Sequence, residues 1–290
     1  MVLATSLTSE AIMAYPEFTC VYERDTNPAL KPEAENFFQQ ARALEKKPGI
    51  KDWATITKLY EQAIEMGHWK AMHNMAGLYR TGWPGLPGIE KDTGKMLDLY
   101  KRMVELRVPL VYYNWAVTAE RGNGILKSDR MAASYMFQAA QLGSPLAQAR
   151  IGQYFSFELP REEQDDNMAE LYYRCAGAQD NIDAIEETAS FYKIAKRNMP
   201  RALYYYQRSA SLGSFIGFIN IIRALDGTNK PSYKYGYVAD KALATAYLEV
   251  LNQSDKDPSL KFPNLAQDYP LPRHPKQGYD AEHPDQRPEL

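Results

Sequence analysis

Histidines and acidic runs are the residues of this chain whose types could support catalysis or metal binding. His68 and His73 are five positions apart, whereas the two histidines of a helical zinc site stand four apart on one helix face. The acidic run REEQDD at 161–166 falls between two predicted helices, where charged residues are typical of a solvated loop. The spacing therefore predicts surface or groove histidines, and no metal or other cofactor is expected.

Motifs of phosphate or nucleophilic chemistry are incomplete in the sequence. The stretch GWPGLPG at 82–88 superficially resembles a phosphate-binding loop, but no Lys-Ser or Lys-Thr pair follows it. No G-x-S-x-G sequence is present either, so the turn that presents a serine nucleophile in hydrolases is not predicted. We therefore interpret the chain as a binding protein and not as an enzyme.

The charge balance bears on the class of partner, and the two cysteines bear on how the N-terminal segment packs. The 34 Lys and Arg residues against 36 Asp and Glu residues give a formal charge of −2, whereas a nucleic-acid-binding protein usually shows a basic surplus. No stretch approaches the roughly 20 apolar residues that span a bilayer. Cys20 and Cys175 are the only cysteines, and they could pair only if the N-terminal segment packed on the fourth helical unit. Two unrelated buried thiols are the expectation.

A repeated pattern decides the predicted architecture. Five stretches align on one turn position: LYEQAIEMGHWKA, LYKRMVELRVPLV, YMFQAAQLGSPLA, YYRCAGAQDNIDA and YYQRSASLGSFIG. Their turn residues recur about every 33 to 40 positions, at Gly67, Arg107, Gly143, Asp180 and Gly213. Self-similarity at this period is typical of a stack of helix pairs. Because Arg107 and Asp180 replace the turn glycine, the second and fourth units are expected to be distorted.

The fold class predicted from these repeats is all-α, a right-handed α-solenoid over residues 33–251. Residues 1–32 form an N-terminal segment, and the Pro-rich residues 252–290 form an extended C-terminal segment. In that last segment the apolar side chains are expected to lie along the last helices, and the chain is expected to be mobile from about Gln277. These apolar residues are Leu260, Phe262, Leu265 and Tyr269.

The repeat elements resemble a known family. The spaced pattern D-x-x-K-A-x-x-W/Y-Y-x-x-A-A-x-x-G-x-x-x-A-x-x-x-L-G-x-x-Y-x-x-G is similar to the Sel1-like repeat, a relative of the tetratricopeptide repeat. The flanking stretches FTCVYERDTNPALK and KFPNLAQDYPLPRHPK resemble a bacterial subset that accompanies lipase toxins of type VI secretion. This resemblance implies an immunity protein that binds and inactivates a lipase or phospholipase, with no nucleic-acid partner and no small-molecule substrate. A general protein-interaction scaffold is the alternative, since it requires only the repeat.

The N-terminal residues bear on the expected compartment. The stretch MVLATSLTSEAIMA resembles the end of a secretory signal peptide cleaved after Ala14, although a basic n-region and a longer apolar region are missing. Either the sequence starts inside a trimmed export signal, or the N-terminus is cytoplasmic. The immunity resemblance favours the first alternative, so a periplasmic protein is expected and a cytoplasmic one is the alternative.

Partner binding is predicted on the second helix of each pair. Exposed positions two, six and nine residues after its first small residue would line the concave side, by analogy with tetratricopeptide arrays. Tyr113, Arg80 and the loop residue Trp83 are expected to contribute most of the binding energy, because Tyr, Trp and Arg are enriched at interface hot spots. Trp83 is interpreted equally well as a lid over the first repeat. The predicted partner-binding residues are His73, Arg80, Trp83, Tyr113, Glu120, Glu186, Lys193 and Arg223.

Overall fold

The computed structural model describes residues 18–82, 89–227 and 235–278, and within these ranges the regular secondary structure is helical, without a β-strand. A single isolated bridge joins His274 and Gly278. The helices are α1 Glu23–Thr26, α2 Pro32–Lys46, α3 Trp53–Glu65, α4 Trp69–Thr81, α5 Thr93–Glu105, α6 Pro109–Arg121, α7 Asp129–Gln141, α8 Pro145–Gln153, α9 Asp166–Gly177, α10 Ile182–Ile194, α11 Met199–Ser211, α12 Phe215–Leu225, α13 Lys241–Lys256 and α14 Leu265–Asp268. A π-helical turn, Tyr154–Glu158, directly follows α8. The predicted all-α fold of paired helices is confirmed.

Two compact units divide the described chain. The first contains residues 23–144, and the second contains residues 18–22 together with 145–278. Within each unit, neighbouring helices pair in sequence order, as α2 with α3 and α6 with α7 in the first, and α11 with α12 in the second. None of the helices described is long and apolar enough to cross a membrane.

Four of the five predicted turns between paired helices share one backbone geometry. Gly67, Gly143 and Gly213 have φ angles of 86°, 94° and 92°, a left-handed conformation that glycine adopts at no steric cost. Arg107 takes the same conformation with φ 57°. Its N–H donates to Val104 O at 2.8 Å, the bond that the glycine of the other turns makes. The predicted distortion at Arg107 is therefore wrong, although a left-handed non-glycine residue costs roughly 1–2 kcal/mol.

The fourth turn does differ, as predicted for Asp180. Asp180 has no positive φ, and the chain turns through a bond from Gln179 N to Ala176 O at 3.1 Å. Arg208 reinforces this turn by donating to Ala178 O at 2.9 Å and to Asp180 Oδ1 at 3.1 Å. A side chain from α11 thus stabilises the turn that lacks glycine.

Polar residues begin most of the helices, in agreement with the polar start of each repeat. Their side chains accept a hydrogen bond from a backbone N–H of the first turn, which would otherwise lack an acceptor. These N-cap residues include Asp52, Asp92, Ser128, Asp165, Asn181, Asn198, Ser214 and Asp240.

His68 is an unusual member of this set, and its predicted surface position is wrong. It is 1% exposed, and its Nδ1 accepts from Ala71 N at 3.1 Å. Because Nδ1 is an acceptor, the proton lies on Nε2, which donates to Glu35 Oε2 at 2.9 Å. The ring stacks on Phe38 with centroids 4.5 Å apart. His68 is therefore a buried structural cap.

The core of each unit consists of small residues and tyrosines at the predicted positions. Ala71, Ala147 and Ala184 are fully buried, so the helices that carry them pack closely. The tyrosines expected on the packing face are buried as well, namely Tyr60, Tyr100, Tyr173 and Tyr206. The prediction that these aromatics pack the core and do not line a ligand site agrees with their burial.

A disulfide holds the N-terminal segment within the second unit. Cys20 and Cys175 are bonded, with Cα atoms 5.6 Å apart, so the expectation of two unrelated thiols is wrong. Phe18 stacks on Tyr172 with ring centroids 3.8 Å apart, and Gln148 Nε2 donates to Val21 O at 2.9 Å. These contacts bring residues 18–22 onto α8 and α9, which the separation of the cysteines in sequence did not indicate.

The C-terminal segment packs on the second unit through residue 278. Leu265 is 2% exposed and joins the core, whereas Leu260 is exposed, contrary to expectation. The segment includes the short α14, so it is not extended throughout. Gln277 donates to Arg197 O at 2.7 Å and accepts from Met199 N at 2.8 Å. These two bonds attach Gln277 to the chain around Arg197 and Met199, and the mobility expected from about Gln277 onward stays a prediction.

Candidate functional site

The predicted partner-binding residues fall on two surfaces, one in each unit. In the first unit, α4 carries His73 and Arg80, and α6 carries Tyr113 and Glu120. We call this set, with Asn114, the His73 face. Asn114 Nδ2 lies 3.4 Å from His73 Nδ1, so the second helices of successive repeats lie side by side here. Arg80 is exposed, whereas His73, Tyr113 and Glu120 are half-buried.

Electrostatics on the His73 face keep its histidine uncharged. Burial lowers the pKa of His73, and the nearby positive charge of Arg80 lowers it further. A neutral imidazole beside an exposed guanidinium leaves Arg80 as the cation of the pair near neutral pH. The His73 face can therefore accept an anionic or aromatic group of a protein partner.

The second surface lies in the other unit and is a connected polar network. On α10, Glu186, Ser190 and Lys193 are spaced four and then three residues apart, which places them on one helix face. Lys193 Nζ donates to Tyr235 Oη at 2.8 Å, and Tyr235 Oη in turn donates to Asn220 Oδ1 on α12. We call Glu186, Lys193, Asn220, Arg223 and Tyr235 the Lys193 face.

Both charged groups of α10 on this face are partly withdrawn from water. Burial raises the pKa of Glu186, although a hydrogen bond from Ser214 Oγ opposes the shift. Burial also lowers the pKa of Lys193, and the positive charge of Arg223 adds to this effect. The Lys193 ammonium lies 4.3 Å from the centroid of the Tyr235 ring. The face thus carries a carboxyl group at one end and two cations at the other.

This arrangement of charged and polar side chains supports the binding of a partner. Among residues 18–82, 89–227 and 235–278, no group of three or more His, Cys, Asp or Glu side chains could hold a metal ion. The hydrogen bonds of the Lys193 face fix side-chain positions before any partner arrives, which lowers the ordering cost of binding.

The sequence prediction named some residues of the Lys193 face, and their role in partner binding stays a prediction. It named Glu186, Lys193 and Arg223, which the structure gathers on one face, while Trp83 lies outside the described residues. It missed Asn220 and Tyr235. Asn220 lies one turn before Arg223 on the same helix, so helical spacing could have identified it. Tyr235 follows α12 in a non-helical segment, and the repeat pattern contains no signal for it.

Comparison with known proteins identifies the repeats. The Sel1 repeat family matches residues 69–106, 109–144, 145–181 and 193–214. A Sel1 repeat protein from Oxalobacter formigenes, 19% identical, shares the fold with a TM-score of 0.56 and covers 77% of this chain and 91% of its own. No curated protein matches the sequence.

Three solved structures from Pseudomonas aeruginosa are much more similar. PA5086 is 39% identical with a TM-score of 0.74, over 93% of this chain and 100% of that chain. Immunity protein Pa5087 is 38% identical with a TM-score of 0.74, over the same shares of the two chains. Immunity protein PA5088 is 36% identical with a TM-score of 0.75, over 92% of this chain and 99% of its own. The chain therefore belongs to the Sel1-repeat family, in the group whose solved members include the immunity proteins Pa5087 and PA5088.

Proposed function

We propose that the protein is an immunity protein that binds and neutralises a cognate antibacterial lipase or phospholipase delivered by a type VI secretion system. The observation that carries the proposal is the similarity, over more than nine tenths of the chain, to two proteins named as immunity proteins. Sel1 repeats and immunity proteins are non-catalytic families, so the action we expect is binding and not turnover.

The lipase as target is supported by the flanking stretches that resemble the lipase-associated subset. A phospholipase must admit a lipid tail through an apolar mouth, so an inhibitor need not imitate the transition state. Covering the mouth or holding a lid closed is sufficient. A repeat protein does this with little ordering cost, because its binding surface is already formed.

Action in the periplasm is the second part of the proposal, and the bond between Cys20 and Cys175 supports it. Disulfides persist in oxidising compartments such as the bacterial periplasm and are rare in the cytosol, where thiols are kept reduced. An immunity protein that meets the lipase in the periplasm would keep this disulfide bond, because the compartment is oxidising.

The test begins at the neighbouring gene: where it encodes a lipase, that lipase is co-expressed with this protein in a susceptible bacterium. The lipase is directed to the periplasm, and this protein is expressed with and without an export signal. We expect the exported form to restore growth and the purified protein to inhibit hydrolysis of phospholipid vesicles at a stoichiometric ratio. A lipase inactivated at its nucleophile serves as the control for toxicity.

The growth results and the binding results distinguish a periplasmic immunity protein from a cytosolic one and from a general scaffold. Protection by the exported form alone would support the periplasmic immunity protein. Protection by the cytosolic form alone would contradict the proposed compartment but not the proposed target. If the lipase neither binds nor loses activity at any ratio, the immunity proposal fails in favour of a general scaffold.

A further inference from the structure

Two large apolar side chains are exposed at the first turn of α12. Phe215 is 57% exposed and Ile216 is 52% exposed, directly after the N-cap Ser214. Isolated exposed apolar residues are ordinary on protein surfaces. Here, however, half-buried Ile219 and Ile222 continue the surface from Phe215 at spacings of four and three residues, which places all three on one side of the helix. Together with exposed Ile216 beside them, these residues make the outer side of α12 an apolar stripe.

A fixed positive charge lies beside this stripe. Ile216, Asn220 and Arg223 are also four and then three residues apart, so they form the adjacent row of the same helix. Asn220 Nδ2 donates to Ile216 O at 2.9 Å, while its Oδ1 accepts from Tyr235, the tyrosine bonded to Lys193. This chain of hydrogen bonds holds the Lys193 ammonium near the middle of α12.

The Lys193 ammonium has donor capacity that the described chain does not use. An ammonium group carries three N–H donors, and its one hydrogen-bond acceptor within the described ranges is Tyr235. No carboxylate of those ranges forms an ion pair with it. Burial and the nearby Arg223 charge both lower its pKa, as expected where a cation lacks an anionic neighbour. An incoming carboxylate would supply the missing opposite charge.

The ends of this surface differ in charge. Glu186 accepts a hydrogen bond from Ser214 at the start of α12, whereas Lys193 lies near the middle of the helix and Arg223 lies toward its end. A partner segment that placed an acidic group at the Glu186 end would meet a carboxyl group there instead of a cation. Charge complementarity therefore selects both the sign of the charge on the partner segment and the direction in which the segment runs along α12.

We propose that the outer side of α12 together with Lys193 is the docking surface for the toxin. It receives a surface segment in which an acidic side chain is flanked by apolar residues. The acidic group pairs with Lys193, and the apolar residues cover Phe215 and Ile216. This inference rests on the proposed immunity function and specifies where, and by which chemistry, the protein holds its target.

The test compares two substitutions on this surface with two matched controls in the other unit. Lys193→Glu reverses the charge, and Ile216→Asp places a carboxylate on the apolar stripe. Lys58→Glu and Ile50→Asp change the same residue types at exposed positions. Affinity for the purified, catalytically inactive lipase is measured by calorimetry, and folding is checked by thermal unfolding.

We expect each test variant to weaken binding by at least about 30-fold, the size of a hot-spot loss, and each control by less than about 3-fold. Lys193→Met, which removes the charge and keeps the length of the side chain, replaces Lys193→Glu if the latter unfolds. A scan of Asp and Glu to Lys on the lipase should yield one variant that regains at least about tenfold affinity for Lys193→Glu.

The outcomes distinguish this inference from the proposed function. A wild type that does not bind the lipase overturns the proposed function, and the docking surface with it. A wild type that binds, together with folded Lys193 and Ile216 variants that bind equally well, overturns the docking surface alone. If sedimentation shows a dimer of the wild type and a monomer of Ile216→Asp, with unchanged lipase binding, the stripe is an interface between copies of this chain.

Discussion

At the scale of single residues, Glu23 at the start of α1 gives stability a specific pH dependence. Burial raises its pKa to about 7, above the value in an unfolded chain. The folded state therefore binds the proton more tightly, and this contribution to stability is present at low pH and lost as the pH rises through 7. We predict that Glu23→Gln raises the free energy of unfolding at pH 8 by up to about 3 kcal/mol, with no gain at pH 4.

Chemical denaturation at the two pH values measures this effect. Glu33→Gln is the matched control, because Glu33 is an exposed glutamate in the first turn of α2. Exposed substitutions of this kind change stability by about 0.5 kcal/mol or less. A gain of equal size at pH 4 and pH 8 would show that the Glu23 carboxyl group is not the cause.

At the scale of helices, close packing depends on one glycine of α12. A Cβ atom added at Gly217 would lie 2.5 Å from Tyr206 O and 2.6 Å from Ala210 N, so backbone atoms of α11 leave no room for it. Gly77 in α4 has no neighbour within 4 Å of such an atom. We predict that Gly217→Ala destabilises the protein by about 1–3 kcal/mol through overpacking. Gly77→Ala should stabilise it by about 0.5–1 kcal/mol.

Thermal and urea unfolding of the two variants test these two predicted changes in stability directly. Opposite signs are expected, although both substitutions add the same methyl group to a helix. If Gly217→Ala were as stable as the wild type, α11 and α12 would have to move apart without cost, and small residues at this repeat position would not set the helix spacing.

The helices were predictable from the sequence because their determinants are local. The helical spacing of apolar residues, the turn glycines and the polar caps each act within a few residues. The turns at Gly67, Gly143 and Gly213 could therefore be placed in advance. The turn at Arg107 was placed as well, but its left-handed backbone was not predicted, since that conformation is typical of glycine. His68 was misassigned because its burial results from packing against Glu35 and Phe38, about thirty residues earlier in the chain.

The residues of the candidate site were predictable only where local helical spacing groups them. Helical spacing correctly grouped Glu186 and Lys193, whereas Tyr235 reaches Lys193 from a non-helical segment 42 residues away. The apolar side of α12 was overlooked for another reason. A hydrophobic helix sequence such as FIGFINIIRAL indicates burial, and only the structure reveals that Phe215 and Ile216 remain exposed.

At the scale of the whole molecule, one covalent bond controls where the N-terminal segment lies. Cys20 and Cys175 are 155 residues apart in sequence, a separation at which sequence alone carries no pairing signal. Closing so long a loop restricts the unfolded chain strongly, and on that model the bond stabilises the folded state by up to about 5 kcal/mol, with 2–4 kcal/mol typical. Residues 18–22 would otherwise be held mainly by single contacts such as the one from Gln148 to Val21.

Removing the bond should therefore lower stability without changing the helical content. We predict that the double variant Cys20→Ser, Cys175→Ser loses about 2–5 kcal/mol of unfolding free energy, measured by urea denaturation with circular dichroism. Reductant should bring the wild type to the same stability and leave the double variant unchanged, which makes the variant its own control. A wild type insensitive to reductant would mean that the bond contributes nothing to folding. If the expected loss is found, protein folded in a reducing cytosol should be the less stable form, and under the proposed function its protection against a lipase should decline with it.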